Sequence, residues 1–207
     1  MSRGSFELTE KRKNEIIDAC EFIYKEKGFQ GVNIKEISTA LDMTRPAIYH
    51  YFETKEEILL ALLIREYAVW LAELADFDFE AEHSSEEVME KLAFSLRERD
   101  VMLRILNMNL FEIEINSRVE RLAEFKKSYM EETRLLKRYL AIGKPALDEV
   151  IADAFVRNLN AFLIGLYPFT HHTEKQLEAM KMVGMKEEKL SVYEAVKDFL
   201  MGLAIFQ

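Results

Sequence analysis

The stretch from Asn33 to Lys55 holds the residues of this chain whose types and spacing are most able to perform a specific chemistry. It reads NIKEISTALDMTRPAIYHYFETK. Arginine, tyrosine and histidine side chains donate hydrogen bonds, and Arg45, Tyr49 and His50 fall on or near the outer side of a short predicted helix. An α-helix fits the major groove of double-stranded DNA, where such donors can contact phosphates and base edges. The pattern therefore predicts a helix-turn-helix that places one helix in that groove.

Local signals predict the first helix of this motif and the turn after it. Asn33 and Glu36 form a capping-box-like start, in which Asn33 accepts from an early backbone N–H and Glu36 reaches back. Apolar residues recur at helical spacing from residue 34 to residue 41. Asp42 lies where the chain must turn, and aspartate tolerates the left-handed conformation that such a turn often needs.

The second helix of the motif and the start of the next helix follow at once. Thr44 can cap the second helix, whose inner side carries Ile48 and Phe52. Thr54 and Glu57 form a capping box, which begins the next helix. These signals agree with one another, so we expect the second helix to bury one side and expose the other.

These residues resemble the N-terminal DNA-binding domain of the tetracycline-repressor (TetR) family of bacterial transcription regulators. Two positions depart from the family pattern, because Asp42 replaces the usual turn glycine and Ser38 replaces a small alanine. The resemblance implies an all-α fold, with a three-helix DNA-binding domain at residues 1–55 and a helical effector-binding and dimerisation domain at residues 56–207. The matching residues are Gly28-Phe29, Ile37 to Leu41, Thr44, Ala47-Ile48-Tyr49, Tyr51-Phe52 and Thr54 to Leu59.

The resemblance also implies which side chains contact DNA. Arg45 and Ala47 correspond to positions that approach base edges, and an arginine can donate two hydrogen bonds to guanine O6 and N7. The aromatic residues Tyr49 and Tyr51 could instead only cover the helix junction, and Lys55 could be an ordinary solvated lysine. The positions that hold phosphates correspond to Lys35, Tyr49, Tyr51 and Lys55, and His50 lies between the two roles. The full set of expected DNA-binding residues is Lys35, Thr44, Arg45, Ala47, Tyr49, His50, Tyr51 and Lys55.

The charge of the chain is acidic overall but balanced near the motif. The net charge is −9, while residues 1–55 hold nine basic and nine acidic residues, so the whole excess lies in the rest of the chain. An acidic bulk lowers non-specific affinity for DNA, because that affinity is mostly electrostatic. The basic cluster Lys11-Arg12-Lys13 and Arg3 could add phosphate contacts or could form a solvated surface.

Composition favours helices along the whole chain. Hydrophobic residues make up 49% of the sequence, and the chain contains only 7 Gly and 3 Pro. We expect nine or ten helices. The single cysteine, Cys20, lies on an apolar helix face and cannot form an internal disulfide. The sequence shows no signal peptide and no run of eighteen apolar residues, so we expect a soluble cytoplasmic protein that does not enter a membrane.

Capping residues, glycines and prolines predict where several helices begin and end. Gly28 is expected to end the first helix, and Pro168 is expected to end an apolar helix that begins at Ala146. The predicted spans are Thr9 to Lys27, Lys55 to Ala75, Ser84 to Arg97, Asp100 to Phe111, Ser117 to Gly143-Lys144-Pro145, Ala146 to Tyr167, Thr173 to Met182, and Ser191 to Phe206.

Two C-terminal helices, near residues 147–166 and 192–206, carry more apolar residues than one face requires. The family resemblance implies that such a pair packs against its copy to form a homodimer, whose two-fold symmetry suits a palindromic operator. The alternative is that these residues form the interior of a single chain. The expected interface residues are Phe155, Leu159, Leu163, Leu166, Val196, Phe199, Leu200 and Leu203.

The resemblance further implies a pocket for a small-molecule effector in the larger domain, with an apolar or amphipathic ligand that the sequence does not identify. Asn109 and Asn158 are of interest because a buried amide needs a partner, which a ligand could supply. For each of these residues, ordinary core packing is the alternative. The expected pocket residues are Trp70, Met102, Ile105, Leu106, Asn109, Phe125, Tyr129, Asn158 and Phe162.

Catalytic and metal-binding motifs are missing from the sequence. It contains no Gly-x-Ser-x-Gly, glycine-rich phosphate loop or His-Glu-x-x-His pattern, and the adjacent His171 and His172 are expected in an exposed loop. We therefore expect a DNA-binding regulator, most often a repressor in this family, that needs no cofactor or metal. Two other classes stay open: a protein-interaction or nucleoid-organising module without an effector, and a helical enzyme.

Overall fold

The computed structural model describes residues 3–143 and 148–203 and contains eleven α-helices there, with no strand within those ranges. The side chain of Arg3, and the predicted helix boundaries at Lys144-Pro145, Ala146 and Phe206, lie outside the described residues. The predicted all-α fold with an N-terminal helix-turn-helix is confirmed. The helices are α1 (Arg3–Gly31), α2 (Ile34–Leu41), α3 (Arg45–Tyr49), α4 (Lys55–Ala75), α5 (Ser85–Leu96), α6 (Asp100–Met108), α7 (Leu110–Ile115), α8 (Val119–Gly143), α9 (Glu149–Thr170), α10 (Glu174–Met182) and α11 (Val192–Met201).

The chain forms two compact units. The first consists of Met1–Tyr67 and Asn109–Ser128, and the second consists of Ala68–Met108 and Tyr129–Gln207. The first unit therefore contains the helix-turn-helix together with a segment from the middle of the chain. Helices α4 and α8 each begin in the first unit and end in the second. The functional division at residue 55 stays a prediction.

Helix α1 changes direction at the glycine that was expected to end it. Gly28 has φ 65° and ψ −171°, which is not helical, and the segment that continues to Gly31 follows this kink. A side chain is strained at such a positive φ, so glycine suits the position. Cys20 is fully buried on this helix. Burial raises its pKa to about 12, so it stays an unreactive thiol.

Asn109 divides the single helix that was predicted from Asp100 to Phe111. The residue has φ −137° and ψ −9°, so α6 ends at Met108 and α7 begins at Leu110. Its side-chain Oδ1 accepts a hydrogen bond of 2.9 Å from the hydroxyl of Tyr24, which also belongs to the first unit. This long-range bond satisfies a buried amide, and no local sequence pattern indicates it.

Helix α9 does not end at Pro168, so that prediction is wrong. The helix continues to Thr170 with the proline inside it. Proline has no N–H to donate to the carbonyl oxygen of Ile164, four residues earlier. The Nδ2 atom of Asn107 donates to that oxygen instead, at 2.8 Å. The second unit thus satisfies the backbone group that the proline leaves without its usual partner.

Three later helices begin at the predicted residues, and each begins with a capping box. Ser84, Thr173 and Ser191 each accept from the backbone N–H three residues later, and the side chain at that position reaches back. By length and composition, α9 could cross a membrane. However, seven of its residues are buried inside the chain, as expected for the core helix of a globular unit.

Candidate nucleic-acid interface

The turn between α2 and α3 has the geometry that the sequence predicted. Asp42 has φ 50° and ψ 39°, which is left-handed, and the N–H of Met43 donates to the Ser38 carbonyl at 3.1 Å. Asn33 accepts from the N–H of Glu36 at 2.9 Å, as expected. The Glu36 carboxylate pairs with Lys27 at 2.9 Å rather than reaching back to Asn33. Only half of the predicted capping box therefore forms, because the Asn33 side chain accepts its hydrogen bond but the Glu36 side chain does not reach back.

The buried side of α3 is also as predicted. Thr44 accepts from the N–H of Ala47 at 3.4 Å and begins the helix. Ile48 on α3 is buried in the interior of the first unit, and so is Phe52, although the helix ends at Tyr49 and Phe52 follows it instead of lying on it. Because Ile48 fixes this face of α3 inward, Arg45 and Tyr49 lie on its outer side.

The outward side of α2 and α3 carries the expected hydrogen-bond donors. Lys35, Arg45, Tyr49 and His50 are exposed, and Ala47 is half-buried. Neither Lys35 nor Arg45 forms a salt bridge within the part of the chain that the structure describes. Two unpaired cations on adjacent exposed helices favour binding of an external anion. Thr44 keeps its hydroxyl proton for such a ligand, because its oxygen acts as the acceptor in the cap.

Two of the expected DNA-binding residues, Lys55 and Tyr51, contact other parts of the first unit as well as solvent. The Nζ atom of Lys55 lies 3.9 Å from the centroid of the Phe29 ring and donates to the Phe29 carbonyl at 3.4 Å. Tyr51 is half-buried, and its backbone carbonyl accepts from Nη2 of Arg121 at 3.1 Å. In this geometry both residues help to hold α3 and α4 in place.

The structure adds a supporting ion pair that the sequence analysis missed. Glu57 is buried, and its carboxylate accepts from Arg118 Nε at 2.6 Å, from Arg118 Nη2 at 2.9 Å and from the N–H of Glu53 at 2.9 Å. Burial alone would raise the pKa of Glu57, but these hydrogen bonds outweigh it and lower that pKa. The expected capping box is therefore half-formed: Thr54 accepts from Glu57, while the Glu57 carboxylate binds other donors.

The basic cluster near the start of α1 is largely paired. Arg12 lies 2.7 Å from Glu15, and Lys13 lies 2.8 Å from Glu10. Pairs three residues apart are typical of a solvated helix surface. The geometry of Lys13 and Arg12 thus agrees with the solvated-surface alternative, and Lys11 is exposed beside them.

The residues expected to line an effector pocket do not fall in one unit. Asn109 and Phe125 belong to the first unit, and the others belong to the second. Trp70 is buried and donates to Ser95 Oγ at 2.9 Å. The expectation that Asn158 is a buried amide is wrong, because it is exposed on α9. Of the remaining residues, Met102, Ile105, Leu106 and Phe125 are buried, Tyr129 is 37% exposed, and Phe162 stacks on Phe199 with ring centroids 4.1 Å apart.

Most residues expected at a dimer interface are buried inside the single chain. Phe199 and Leu203 are partly exposed, whereas the other six lie in the interior. A partner could reach those six only if the chain rearranged, and the location of the interface stays a prediction. The six buried residues are Phe155, Leu159, Leu163, Leu166, Val196 and Leu200.

His171 and His172 follow the end of α9 in a loop, as expected, but they are partly buried, so the prediction that they are exposed is wrong. The ring of His171 stacks on Tyr167, with centroids 4.1 Å apart, and its Nε2 lies 3.4 Å from Asp100. Within residues 3–143 and 148–203, no group of three or more His, Cys, Asp or Glu side chains has the arrangement of a metal site. The stacking on Tyr167 gives His171 a packing role.

Glu132 is a buried acidic residue that the sequence analysis did not single out. It lies on α8 in the second unit, and its side chain is fully buried. No described residue donates a hydrogen bond to either carboxylate oxygen. Burial raises the pKa of Glu132 to about 8. Its neighbour Glu131 is of the same residue type and pairs with Arg134, so sequence alone does not separate the two.

Two family models match this chain. Residues 16–62 match the model described as bacterial regulatory proteins of the tetR family. Residues 64–204 match the model described as the tetracyclin repressor-like C-terminal domain. The second match alone covers more than half of the chain and includes helices that carried no motif in the sequence analysis.

Individual relatives agree with these models. The chain is 26% identical over 125 residues to the HTH-type transcriptional repressor AcnR of Corynebacterium diphtheriae, a stretch that covers 60% of this chain and 59% of that repressor. The matched stretches cover 32% to 59% of the curated AcnR relatives, which is less than two thirds of their length.

Solved structures show the same fold. A transcriptional regulator of the TetR/AcrR family from Thermobifida fusca has a TM-score of 0.62 and 23% identity, over 93% of this chain and 97% of its own. A transcriptional regulator from Saccharomonospora viridis in complex with choline has a TM-score of 0.62 and 15% identity, over the same shares of the two chains. Both the helix-turn-helix and the C-terminal helices have counterparts in known regulators, and this chain belongs to the TetR family of bacterial transcription regulators.

Proposed function

We propose that this chain is a cytoplasmic repressor, which binds a palindromic operator as a homodimer and is released by a small-molecule effector. The observation that carries the DNA-binding part is the outward side of α2 and α3. There the exposed and unpaired Lys35 and Arg45 lie beside the exposed Tyr49, on helices fixed by a buried opposite side. This arrangement suits insertion of α3 into the major groove.

The exposed residues divide into two proposed roles. Arg45, at the first position of α3, reads base edges, because its guanidinium can donate two hydrogen bonds to one guanine. Lys35 and Tyr49 bind phosphates, which set the position of the protein on the duplex without reading its sequence. Lys55 could join them only if its ammonium group left the Phe29 ring.

Selection of bound duplexes from random DNA tests the proposal directly. We expect the wild-type chain to enrich a two-fold symmetric sequence. Arg45→Ala should weaken binding to that sequence by about 1–3 kcal/mol and relax the preference at one base pair. Lys35→Ala should weaken operator and random DNA alike and reduce the salt dependence by about one unit.

Lys25→Ala serves as the control, because Lys25 is an exposed α1 cation that already pairs with Glu21. It should leave both affinities unchanged. An equal loss on operator and random DNA for Arg45→Ala would remove that residue from base reading. A wild-type chain that enriches no sequence would contradict the proposed function as a whole.

The proposed dimer uses the outward sides of α9 and α11. Ile151 and Ile164 are 48% and 40% exposed on α9, and Phe169 is 68% exposed. Exposed apolar residues on the helices that pair in this family support such a contact. Ile164→Glu should convert the dimer to a monomer in light scattering and abolish binding to the symmetric site. A variant that stays dimeric would place the interface elsewhere.

The proposed release mechanism is a shift in population between two conformations. Effector binding in the second unit would pivot α4, which begins in the first unit beside α3 and ends in the second. The distance between the two recognition helices of the dimer would then no longer match the operator. A module that binds DNA without any effector is the competing interpretation. It would be favoured if operator affinity stayed constant across a compound screen.

A further inference from the structure

The side chain of Glu132 occupies a position that is costly for an acid. It is fully buried on α8, and neither of its oxygens receives a hydrogen bond from the described residues. The amide of Asn160 on α9 is near enough to favour the charged form slightly. However, its Nδ2 donates to the Val156 carbonyl at 3.0 Å, and it makes no hydrogen bond to the carboxylate. An isolated carboxylate in such a place costs several kcal/mol in its charged form.

A structural role does not explain why Glu132 is buried. Where a glutamate holds elements together, as Glu57 does, its oxygens accept from several donors. Glu132 links nothing in this way, and an apolar residue of the same size would fill the space at lower cost. The carboxyl group is therefore available to a partner that is not part of the chain.

One aromatic residue near Glu132 is partly exposed at the surface. Tyr129 lies one turn earlier on the same face of α8 and is 37% exposed. Burial raises the pKa of Tyr129, and the charge of Glu132 raises it further, so the two groups are close enough to interact electrostatically. An aromatic ring beside a carboxylate is suited to a cation, because the ring face and the carboxylate both attract positive charge.

The chemistry around the carboxylate selects among cations. A metal ion such as calcium needs six or more oxygen ligands, and no group of three or more acidic, histidine or cysteine side chains in the described ranges is arranged to hold a metal ion. The neighbouring positions Leu135 and Leu136 on α8 are buried and apolar. Apolar neighbours with one acid and one phenol favour an organic cation whose substituents are themselves apolar.

We propose that Glu132 is the anionic anchor of the effector site, and that the effector is an organic cation with a substituted ammonium group. This inference rests on the proposed function, since the site regulates DNA binding only if the protein responds to an effector. It adds that the effector carries a positive charge. On binding, the carboxylic acid gives its proton to the buffer, and the resulting carboxylate pairs with the ammonium. No covalent bond forms or breaks other than that O–H bond.

Titration calorimetry with defined probes tests the site. The probes are choline and butyl-, hexyl- and octyltrimethylammonium, each compared with the neutral isostere in which a quaternary carbon replaces the nitrogen. The proteins are the full-length wild type, Glu132→Gln, and the control Glu131→Gln, whose carboxylate is partly exposed and paired with Arg134. Buffers of different ionisation enthalpy report how many protons are released.

We expect at least one ammonium probe to bind wild type and Glu131→Gln, with release of about one proton per bound ion at neutral pH. The neutral isosteres should bind at least tenfold more weakly, and Glu132→Gln should lose the ammonium binding by a similar factor and release no proton. The inference is overturned if no ammonium probe binds the wild type. It is equally overturned if Glu132→Gln binds them as well as wild type does.

Operator binding by the same samples separates this inference from the proposed function. If the wild-type chain binds the operator but no ammonium ion, the inference fails and the DNA-binding proposal stands. If an ammonium ion binds through Glu132 without changing operator affinity, the assignment of this site to the effector is overturned. Thermal unfolding of Glu132→Gln shows that any loss of binding occurs in a folded protein, since removing a buried acid should not destabilise it.

Discussion

Each of the two units of this chain contains a buried glutamate, and the two are held in opposite ways. Glu57 in the first unit accepts four hydrogen bonds, two from the guanidinium of Arg118 and two from the backbone N–H groups of Glu53 and Arg118. Glu132 in the second unit accepts none from the described residues. Hydrogen bonds overcome the effect of burial and lower the pKa of Glu57, whereas burial dominates and raises the pKa of Glu132 to about 8.

The comparison separates a structural acid from one that is available for binding. The first unit must hold α3 and the start of α4 in a fixed geometry, and its buried acid is saturated by partners that serve this purpose. The second unit contains an acid that accepts no hydrogen bond from the described residues. Such a cost is expected at functional sites rather than in ordinary cores.

The largest effect should come from breaking the pair in the first unit. Arg118→Ala removes the guanidinium and leaves Glu57 buried with only the backbone N–H groups of Glu53 and residue 118 as donors, so the thermal midpoint should fall by several degrees. Operator affinity should fall with it. The double variant Glu57→Leu with Arg118→Ala should recover much of the lost stability, because no unpaired charge remains buried. If the single variant unfolds like wild type, the pair is not a structural support.

A substitution at the buried acid of the second unit should stabilise the chain instead of destabilising it. Glu132→Met replaces an unpaired acid by an apolar side chain of similar size, so the free energy of unfolding should rise by about 1–3 kcal/mol. Urea denaturation measures it, and Glu131→Gln should change little. A loss of stability in Glu132→Met would show that the carboxyl group has a partner within the folded chain.

The pH dependence of stability should distinguish the two acids in one protein. The pKa of Glu132 rises from 4.5 to about 8 on folding, so its protonated form favours the native state. Its stabilising contribution is complete below pH 4.5 and is lost as the pH rises to about 8. Glu57 has a lowered pKa, so its contribution is present above pH 4.5 and is lost as the pH falls below that value.

Thermal midpoints measured as a function of pH check the direction of both contributions, that of Glu132 and that of Glu57. The difference between wild type and Glu132→Gln should change steadily from pH 4.5 to about 8, with wild type losing stability relative to the variant. A difference that is constant with pH would mean that Glu132 is not protonated in the folded chain.

The smallest predicted effect concerns a polar group of the second unit that does have a partner. Asn107 donates to the Ile164 carbonyl that Pro168 leaves without its usual donor. Asn107→Ala should destabilise the chain by about 1 kcal/mol. In the variant Pro168→Ala, which restores the backbone N–H, the same substitution should cost less. An equal cost in both backgrounds would show that the hydrogen bond is not what Asn107 contributes.

Local features of the fold could be predicted from the sequence, because their causes lie within a few residues. The left-handed turn at Asp42, the cap at Asn33 and the capping box at Ser191 are examples. The burial of Ile48 and Phe52 followed from their spacing.

Features with distant partners could not be predicted in the same way. Arg118 lies 61 positions from Glu57, and Asn107 lies 57 positions from Ile164, so no local pattern connects them. The continuation of α9 past Pro168 depends on the second of these contacts. Glu132 has the same residue type as Glu131, and only the packing of α8 decides which of them is buried.

The helix-turn-helix of this protein is not a contiguous module that can be cut out and transferred. Its unit includes Asn109–Ser128, and Thr54 donates to the Asn116 carbonyl while Glu57 binds Arg118. A fragment or chimaera that stops near residue 67 would leave these groups exposed or unpaired. Engineers who wish to give this specificity to another regulator should therefore transplant both segments together.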